Sequence, residues 1–187
     1  MADRTNPNFC PNKAMSALVA AIGADETRGM QDLDALLRDY PRDARLHFLK
    51  GSLLAGRQDY AAARASMRHA VDLAPDYGIA RFQLGFLLLT SGEPVAAQEA
   101  WGPLHALAAD NYLRLFAVGL GHMIRDEFAD AIRLLQDGIA HNRENPAMNR
   151  DMTLLIDEMH KKQGDDVAPT SPAEFLLQQS AMKTTRH

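Results

Sequence analysis

The sequence repeats itself with a period of 34 residues, and this period limits the possible folds more than any other feature. A phenylalanine followed three residues later by a glycine occurs three times at that offset, at Phe48-Gly51, Phe82-Gly85 and Phe116-Gly119. Three alanines share the same offset: Ala63, Ala97 and Ala131. A period of this length predicts a stack of repeated units, each of which packs on its neighbours to bury its apolar face.

The composition predicts that the repeated units are helical. The chain of 187 residues contains 30 Ala and 24 Leu, but only 18 Val, Ile and Thr together. Alanine and leucine are strong helix formers, whereas the β-branched residues favour strands. Each copy is long enough for two helices joined by loops of about two to four residues, so we expect an all-α chain of helical hairpins.

Short polar residues mark the expected starts of these helices, because their side chains can accept hydrogen bonds from the unpaired amides of the first turn. The acidic candidates stand directly before apolar-periodic stretches: Asp43, Asp59, Asp76, Asp110 and Asp126. Asn145 followed by Pro146 offers a further cap with a first-turn proline. Pro103 falls inside a predicted helix, where it removes a backbone hydrogen bond and is expected to bend that helix.

The recurring small residues indicate how the two helices of each hairpin pack. We expect each repeat glycine on the first helix to face the repeat alanine on the second. The predicted pairs are Gly51 with Ala63, Gly85 with Ala97, and Gly119 with Ala131. Because these side chains are small or absent, the two backbones can approach closely.

With these offsets the chain resembles the tetratricopeptide repeat family, whose 34-residue helix-turn-helix carries small residues at the same places and a proline near its end. The three copies are 44–77, 78–111 and 112–145. The first copy matches the family at the most positions: Leu46, Gly51, Leu54, Tyr60, Ala63, Ala70 and Pro75. In the later copies Leu104 and Gly138 replace the second small alanine, and Ala109 and Arg143 replace the proline.

The resemblance implies a right-handed α-solenoid of three hairpins. Residues 12–43 are predicted to form a degenerate N-terminal hairpin, and residues 146–163 a capping helix, so that the repeat domain covers 12–163. Met148, Met152, Leu155, Ile156 and Met159 are expected to share one side of the capping helix. Residues 1–11 are predicted to be a flexible N-terminus, and residues 164–187 a linker and a C-terminal tail.

The resemblance also implies a concave face lined by the first helix of every copy, where members of the family usually hold a peptide or a partner's helix. The apolar side chains predicted to line this groove are Phe48, Ile79, Phe82, Phe86, Leu89, Leu113, Phe116, Leu120 and Met123. The three repeat phenylalanines are expected to stack as a ladder along it. The alternative is that helices inside a stack touch neighbours on several sides and are apolar for that reason alone.

The C-terminal tail supplies a candidate ligand within the chain. Its apolar residues are Phe175, Leu176, Leu177 and Met182. After a linker of about eleven residues this patch could fold back into the groove or reach a second protomer. The alternative is a frayed tail, because C-terminal segments are often disordered.

Several function classes find no support in the sequence. The net charge of -4 leaves no basic surface for nucleic acid, and no apolar run approaches the roughly 18 residues of a membrane span. The seven histidines show no i, i+4 pair of the kind that binds metal on a helix. No nucleophile elbow, phosphate loop or dinucleotide fingerprint occurs, and Cys10 is expected to be incidental. We therefore expect no metal, no cofactor and no catalysis.

The sequence thus predicts a cytoplasmic adaptor that binds an apolar peptide or an amphipathic helix of a partner protein, with export as the less favoured location. Some family members clamp an acidic C-terminus with lysine, asparagine and arginine side chains at set places on the first helices. Those places hold Phe48, Ser52, Gln83, Leu113 and Ala117 here, so the clamp is absent. The first alternative is a dedicated chaperone for a hydrophobic client of a secretion system. The second is an enzyme with no recognisable site.

Overall fold

The computed structural model describes residues 9–165, which form α-helices and one 3-10 helix, with no strand within that range. The α-helices are α1 (Asn12–Ala24), α2 (Glu26–Asp39), α3 (Ala44–Gly56), α4 (Tyr60–Leu73), α5 (Gly78–Thr90), α6 (Pro94–Trp101), α7 (Tyr112–Ile124), α8 (Phe128–His141) and α9 (Pro146–Asp165). The 3-10 helix Gly102–Ala106 follows α6. None of the described helices is both long and apolar enough to traverse a bilayer.

The chain divides into two compact units between Ala109 and Asp110. The first unit contains α1 to α6, packed as the successive hairpins α1–α2, α3–α4 and α5–α6, and the second contains the hairpin α7–α8 with α9 packed on α8. The predicted repeat domain 12–163 spans both units. The tail patch of Phe175, Leu176, Leu177 and Met182 lies outside the described residues.

The repeat glycines lie where the two helices of a hairpin approach each other, but the residue that they face differs from the prediction. A Cβ placed on Gly51 would lie 3.1 Å from the carbonyl oxygen of Ala63, as expected, but only 2.6 Å from Cγ of Met67. The atoms nearest to a Cβ on Gly85 belong to the Trp101 indole, and those nearest to a Cβ on Gly119 belong to Leu134 and Leu135. The large partner stands one helical turn after the predicted alanine in every copy.

The helix caps agree with the sequence prediction at some of the predicted positions. Asp43 accepts a hydrogen bond from the Arg45 amide at 3.0 Å, Asp59 from Ala62 at 3.2 Å, and Asn145 from Met148 at 3.1 Å.

The prediction is wrong for Asp76, Asp110 and Asp126, because the next helix begins one residue later than expected. The N-cap residues are Tyr77 for α5, Asn111 for α7 and Glu127 for α8. Asp126 occupies the connecting turn with a φ of 59°.

Pro103 ends the helix instead of bending it. The helix α6 has 8 residues, whereas its counterparts α4 and α8 have 14 each. Since proline has no amide hydrogen, the α-helical ladder cannot continue through it, and the chain tightens into the 3-10 helix. The prediction of a bent helix is therefore replaced by an early helix end.

The closing helix α9 buries an apolar stripe, as predicted. Met148, Met152, Ile156 and Met159 are buried, and Leu155 is half-buried. Its connection to α8 is organised by Asn142, a buried polar residue. The side-chain nitrogen Nδ2 of Asn142 donates to the Asn145 carbonyl oxygen at 2.9 Å, and the side-chain oxygen Oδ1 accepts from the Asn145 backbone amide at 3.0 Å.

Candidate protein-binding surface

The predicted groove residues separate into a buried set and a half-exposed set. The buried side chains, with the exposed fraction of each residue, are Phe82 (1%), Leu113 (7%), Phe116 (0%) and Leu120 (0%). The half-exposed ones are Phe48, Ile79, Phe86, Leu89 and Met123. The prediction that all nine line an open groove is therefore wrong for the first four, which belong to the core.

Phe82 is buried because it takes part in an aromatic stack within the first unit. Its ring stacks on Trp101 at 6.0 Å and on Phe86 at 6.2 Å between ring centroids. The Trp101 indole donates its Nε1 hydrogen to the Phe82 carbonyl oxygen at 3.0 Å. Trp101 is fully buried, and sequence reasoning missed it, although its spacing from Met67 equals the repeat period.

Phe116 is buried within the second unit, where its ring lies over the backbone of α8. A Cβ on Gly138 would overlap the Phe116 ring, so the glycine provides the space for the aromatic side chain. Tyr112 meets the same ring edge-on at 6.0 Å. Phe82 and Phe116 belong to different units, and the predicted ladder between copies stays a prediction.

The remaining apolar stripe of α5 defines a surface that we call the α5 face, formed by Ile79, Phe86 and Leu89. The spacing of these residues places them on one side of the helix. All three are half-exposed, and Phe86 rests on the buried Phe82 ring, which holds it in place. The α5 face is thus an apolar surface supported from beneath by the core.

Phe48 on α3 is connected to the beginning of α5 by an aromatic contact. Its ring meets Tyr77 edge-on at 5.4 Å, and Tyr77 is the residue directly before α5. Burial raises the pKa of the Tyr77 hydroxyl further above neutral pH. Phe48 and Tyr77 add aromatic area to the same unit as the α5 face.

In the second unit, Met123 lies at the C-terminal end of α7 beside an exposed charged cluster. Glu127 accepts a hydrogen bond from Arg125 at 2.8 Å, and its carboxylate lies 2.6 Å from Nδ1 of His122. The hydrogen bond from Arg125 lowers the pKa of Glu127. Any ligand that reaches Met123 therefore meets both apolar and charged groups.

A polar cluster that sequence reasoning missed lies at the N-terminal edge of the first unit. Asp43 is 0% exposed and accepts hydrogen bonds from the Cys10 amide at 2.9 Å and from the Arg45 guanidinium at 2.6 and 3.0 Å. Burial alone would raise the pKa of Asp43, but these hydrogen bonds outweigh it and lower the pKa. Cys10 is buried as well, so the interpretation of residues 1–11 as a flexible segment does not hold for Cys10.

Two histidines that are far apart in the sequence meet between α3 and α4. The His47 and His69 rings are perpendicular, with centroids 4.3 Å apart, and Nε2 of His47 lies 2.8 Å from the Pro41 carbonyl oxygen. Two imidazoles do not complete a metal site. Among residues 9–164, no group of three or more His, Cys, Asp or Glu side chains is placed to hold a metal ion.

Comparison with solved structures identifies similar folds. The structure of MamA, residue 41 to the end, from Desulfovibrio magneticus RS-1 is 15% identical, with a TM-score of 0.60, and the match covers 94% of this chain and 97% of that one. PilW, a widely conserved type IV pilus biogenesis factor, is 16% identical, with a TM-score of 0.60 over 89% of this chain and 81% of PilW. PilF of Pseudomonas aeruginosa is 17% identical, with a TM-score of 0.56 over 90% and 80% of the two chains.

These identities are low, and the likeness therefore shows the fold alone. No protein-family model matches the chain, and no curated protein matches its sequence.

Proposed function

We propose that this chain, which has the tetratricopeptide fold of MamA, PilW and PilF, is a protein-interaction adaptor that holds an apolar segment of a partner. Proteins of this fold are typically interaction modules rather than enzymes. The ligand is an amphipathic helix or an apolar peptide, and the proposal includes no chemical reaction.

The α5 face is the observation that carries the proposal. Ile79, Phe86 and Leu89 are half-exposed on one side of a helix whose other apolar side chains are buried. An amphipathic helix presents apolar side chains at i, i+3, i+4 and i+7, which suits such a stripe. Full burial of an exposed apolar side chain is worth about 1.5–3 kcal/mol, and each of these partly buried side chains supplies only part of that, so the three anchors give weak binding to which further contacts of the partner must add.

The competing explanation, that the apolar residues serve packing alone, accounts for only part of the set. It accounts for Phe82 and Phe116, because both side chains are buried in the core. Phe86 and Leu89 keep part of their surface accessible, and apolar surface of this kind marks binding sites when it is contiguous. Phe48 contacts Tyr77 directly before α5, and Met123 offers a separate contact in the second unit.

The C-terminal tail is proposed as a competing ligand, in cis or in a dimer. Its apolar residues lie outside the described residues, so the proposal rests on their sequence. Deletion of residues 166–187 is expected to raise the affinity for an added amphipathic peptide if the tail competes. An unchanged affinity would remove the tail from the proposal and leave the adaptor function intact.

Selection from a displayed library of random peptides tests the proposal directly. The wild-type protein is expected to enrich peptides with apolar residues at helical spacing, and the double variant Phe86→Ser with Leu89→Ser to lose them. Val95→Ser is the matched control, because Val95 is 71% exposed on α6 and lies outside the α5 face. Enrichment that survives the double variant would show that the ligand binds elsewhere.

A photo-crosslinking amino acid at Leu89 in the native host then identifies the partner, with the same substitution at Val95 as the background. A client that aggregates when this protein is deleted would identify a chaperone. A partner that stays folded and loses its assembly would identify an adaptor.

A further inference from the structure

Residues 9–11, directly before α1, form a short non-helical segment, which we call the strap, at the corner between α2 and α3. Both backbone polar groups of Cys10 are bonded to this corner: its amide donates to Asp43 at 2.9 Å, and its carbonyl oxygen accepts from Arg45 Nη2 at 2.7 Å. Arg45 Nη1 also donates to the Asn12 side chain at 3.1 Å. The contacts join residues that lie 33 to 35 positions apart.

The strap is held by one ion pair, which we call the lock, between the buried Asp43 carboxylate and the Arg45 side chain, which is 35% exposed. The Arg45 guanidinium meets the Asp43 carboxylate with two nitrogens, at 2.6 and 3.0 Å, which is the strong fork-shaped geometry of such pairs. A buried carboxylate is tolerated only when it is paired and hydrogen-bonded. No described buried side-chain nitrogen or oxygen lacks a hydrogen-bond partner, so the lock is complete.

The strap also contributes to the apolar core. Cys10 is 2% exposed and belongs to one buried cluster with Leu18, Leu33 and Leu46. Phe9, at the outer end of the strap, places its ring over Arg45, with the guanidinium carbon 5.9 Å from the ring centroid. Removal of the strap would therefore open the cluster and uncover the guanidinium at the same time.

We propose that the strap is a conformational device, closed by Asp43 and Arg45, that opens locally while α3 to α6 stay folded. The strap contains no helical hydrogen bond except the first one of α1, from the Met15 amide to the Pro11 carbonyl. Its opening breaks the two Cys10 hydrogen bonds, the packing of Cys10 and the contact of Phe9 with Arg45, but no turn of helix, and such a small set of contacts is typical of a local unfolding unit. The open state exposes the Cys10 thiol and the apolar cluster beneath it, and this proposal is independent of any ligand.

Cys10 is a built-in reporter of strap opening, because the chain has a single cysteine. Its labelling by a disulfide reagent such as DTNB is measured in native buffer and compared with the unfolded chain in urea. We expect the closed strap to slow labelling about a hundredfold or more, and Arg45→Ala or Asp43→Asn to accelerate it about tenfold. Arg45→Lys, which keeps the charge but not the fork, is expected to lie between the wild type and Arg45→Ala.

The control is Arg57→Ala, since Arg57 joins α3 to Glu26 of α2 by an exposed ion pair at 2.7 Å that does not touch the strap. This variant is expected to label at the wild-type rate. Circular dichroism accompanies every measurement, and if Arg45→Ala unfolds, the milder variants Arg45→Lys and Asn12→Ala replace it.

The urea dependence separates local from global opening. Labelling through the strap is expected to change little with urea below the unfolding transition, since few surfaces become exposed. If labelling follows the full slope of global unfolding, the strap does not open by itself and the proposal is wrong. If Cys10 is labelled at the wild-type rate in all the Asp43 and Arg45 variants, these two residues do not hold the strap closed.

Discussion

Gly85 lies so close to the indole of Trp101 that a methyl group on this glycine would overlap the ring. Trp101 in turn donates its indole hydrogen to the carbonyl of Phe82, one turn before Gly85 on α5. The glycine therefore permits the close approach of α5 and α6, and the tryptophan bonds the two helices. Because Phe86 stacks on Phe82, this arrangement also supports the α5 face.

Gly85→Ala is expected to destabilise the fold by about 1–3 kcal/mol, because the added methyl group displaces the indole. Gly56→Ala is the matched control: Gly56 ends α3, and a Cβ there meets no atom of the described chain within 4 Å. Alanine at this position is expected to be neutral or to stabilise by about 0.5–1 kcal/mol. Urea unfolding followed by circular dichroism measures both, and equal effects would contradict the packing described.

Phe82 and Phe86 are expected to respond differently to truncation. Phe82→Ala should cost about 3–5 kcal/mol, as for other buried aromatic residues, whereas Phe86→Ser should cost much less because Phe86 is half-exposed. Phe86→Ser should nevertheless reduce peptide binding. Thermal unfolding and peptide titration on the same samples check this prediction, and a folded Phe82→Ala protein of wild-type stability would show that the Phe82 ring is not core.

Asp43→Asn is expected to destabilise the protein by about 1–3 kcal/mol at neutral pH, because the charged hydrogen bonds that the buried carboxylate accepts from Arg45 and the Cys10 amide are weakened. The folded-state pKa of Asp43 lies below its ordinary value of 3.8. The stabilisation is therefore present above that pH and is lost as the pH falls through the lowered folded-state pKa. Unfolding free energies of the two proteins should differ at neutral pH and converge as the pH falls through the lowered folded-state pKa of Asp43; a constant difference would contradict this role.

The stability of the α3–α4 hairpin is expected to depend on His47. Burial, followed by the charges of His69 and Lys50, lowers the pKa of His47 from 6.5, against the hydrogen bond to Pro41 and the charge of Asp43, which raise it. A lowered folded-state pKa means that the unfolded chain takes up the proton more readily, so stability falls as the pH drops below 6.5.

His47→Gln should flatten the pH dependence of the unfolding free energy between pH 7 and 5, because glutamine cannot take up a proton in that range. The substitution His105→Gln alters an exposed histidine and serves as the control, which should keep the wild-type profile. An unchanged slope in His47→Gln would assign the pH dependence to other groups.

Asn142→Ala is expected to cost about 3 kcal/mol, because the amides of Glu144 and Asn145 and the side chain of Asn149 would lose their partner. Since these bonds organise the chain between α8 and α9, the loss should also raise hydrogen exchange in α9. His141→Ala, at the exposed neighbouring position, should have little effect. If the amides of α9 are equally protected from hydrogen exchange in both variants, the four buried side chains of α9 are sufficient to dock this helix.

The sequence period was sufficient to predict the helical hairpins and their close packing, but not the residues in contact. Gly51, Gly85 and Gly119 were correctly expected to face a second helix. The large side chain opposite each of them, such as Trp101, stands one turn further than the expected alanine, because the contact depends on how the two helices are aligned. Similarly, a proline inside a helical pattern predicts disruption, whereas the 3-10 helix after Trp101 depends on the bonds available locally.

Repetition at 34 residues and an alanine- and leucine-rich composition are properties of the sequence alone, and they were enough to predict a stack of helical hairpins. Whether an apolar side chain is buried depended on contacts between distant residues. Periodicity therefore could not distinguish the buried Phe82 from the half-exposed Phe86. The same holds for the strap, where Cys10 and Asp43 meet across 33 positions. Spacing along the chain specifies the side of a helix on which a residue lies, whereas burial depends on what the folded chain places against that side.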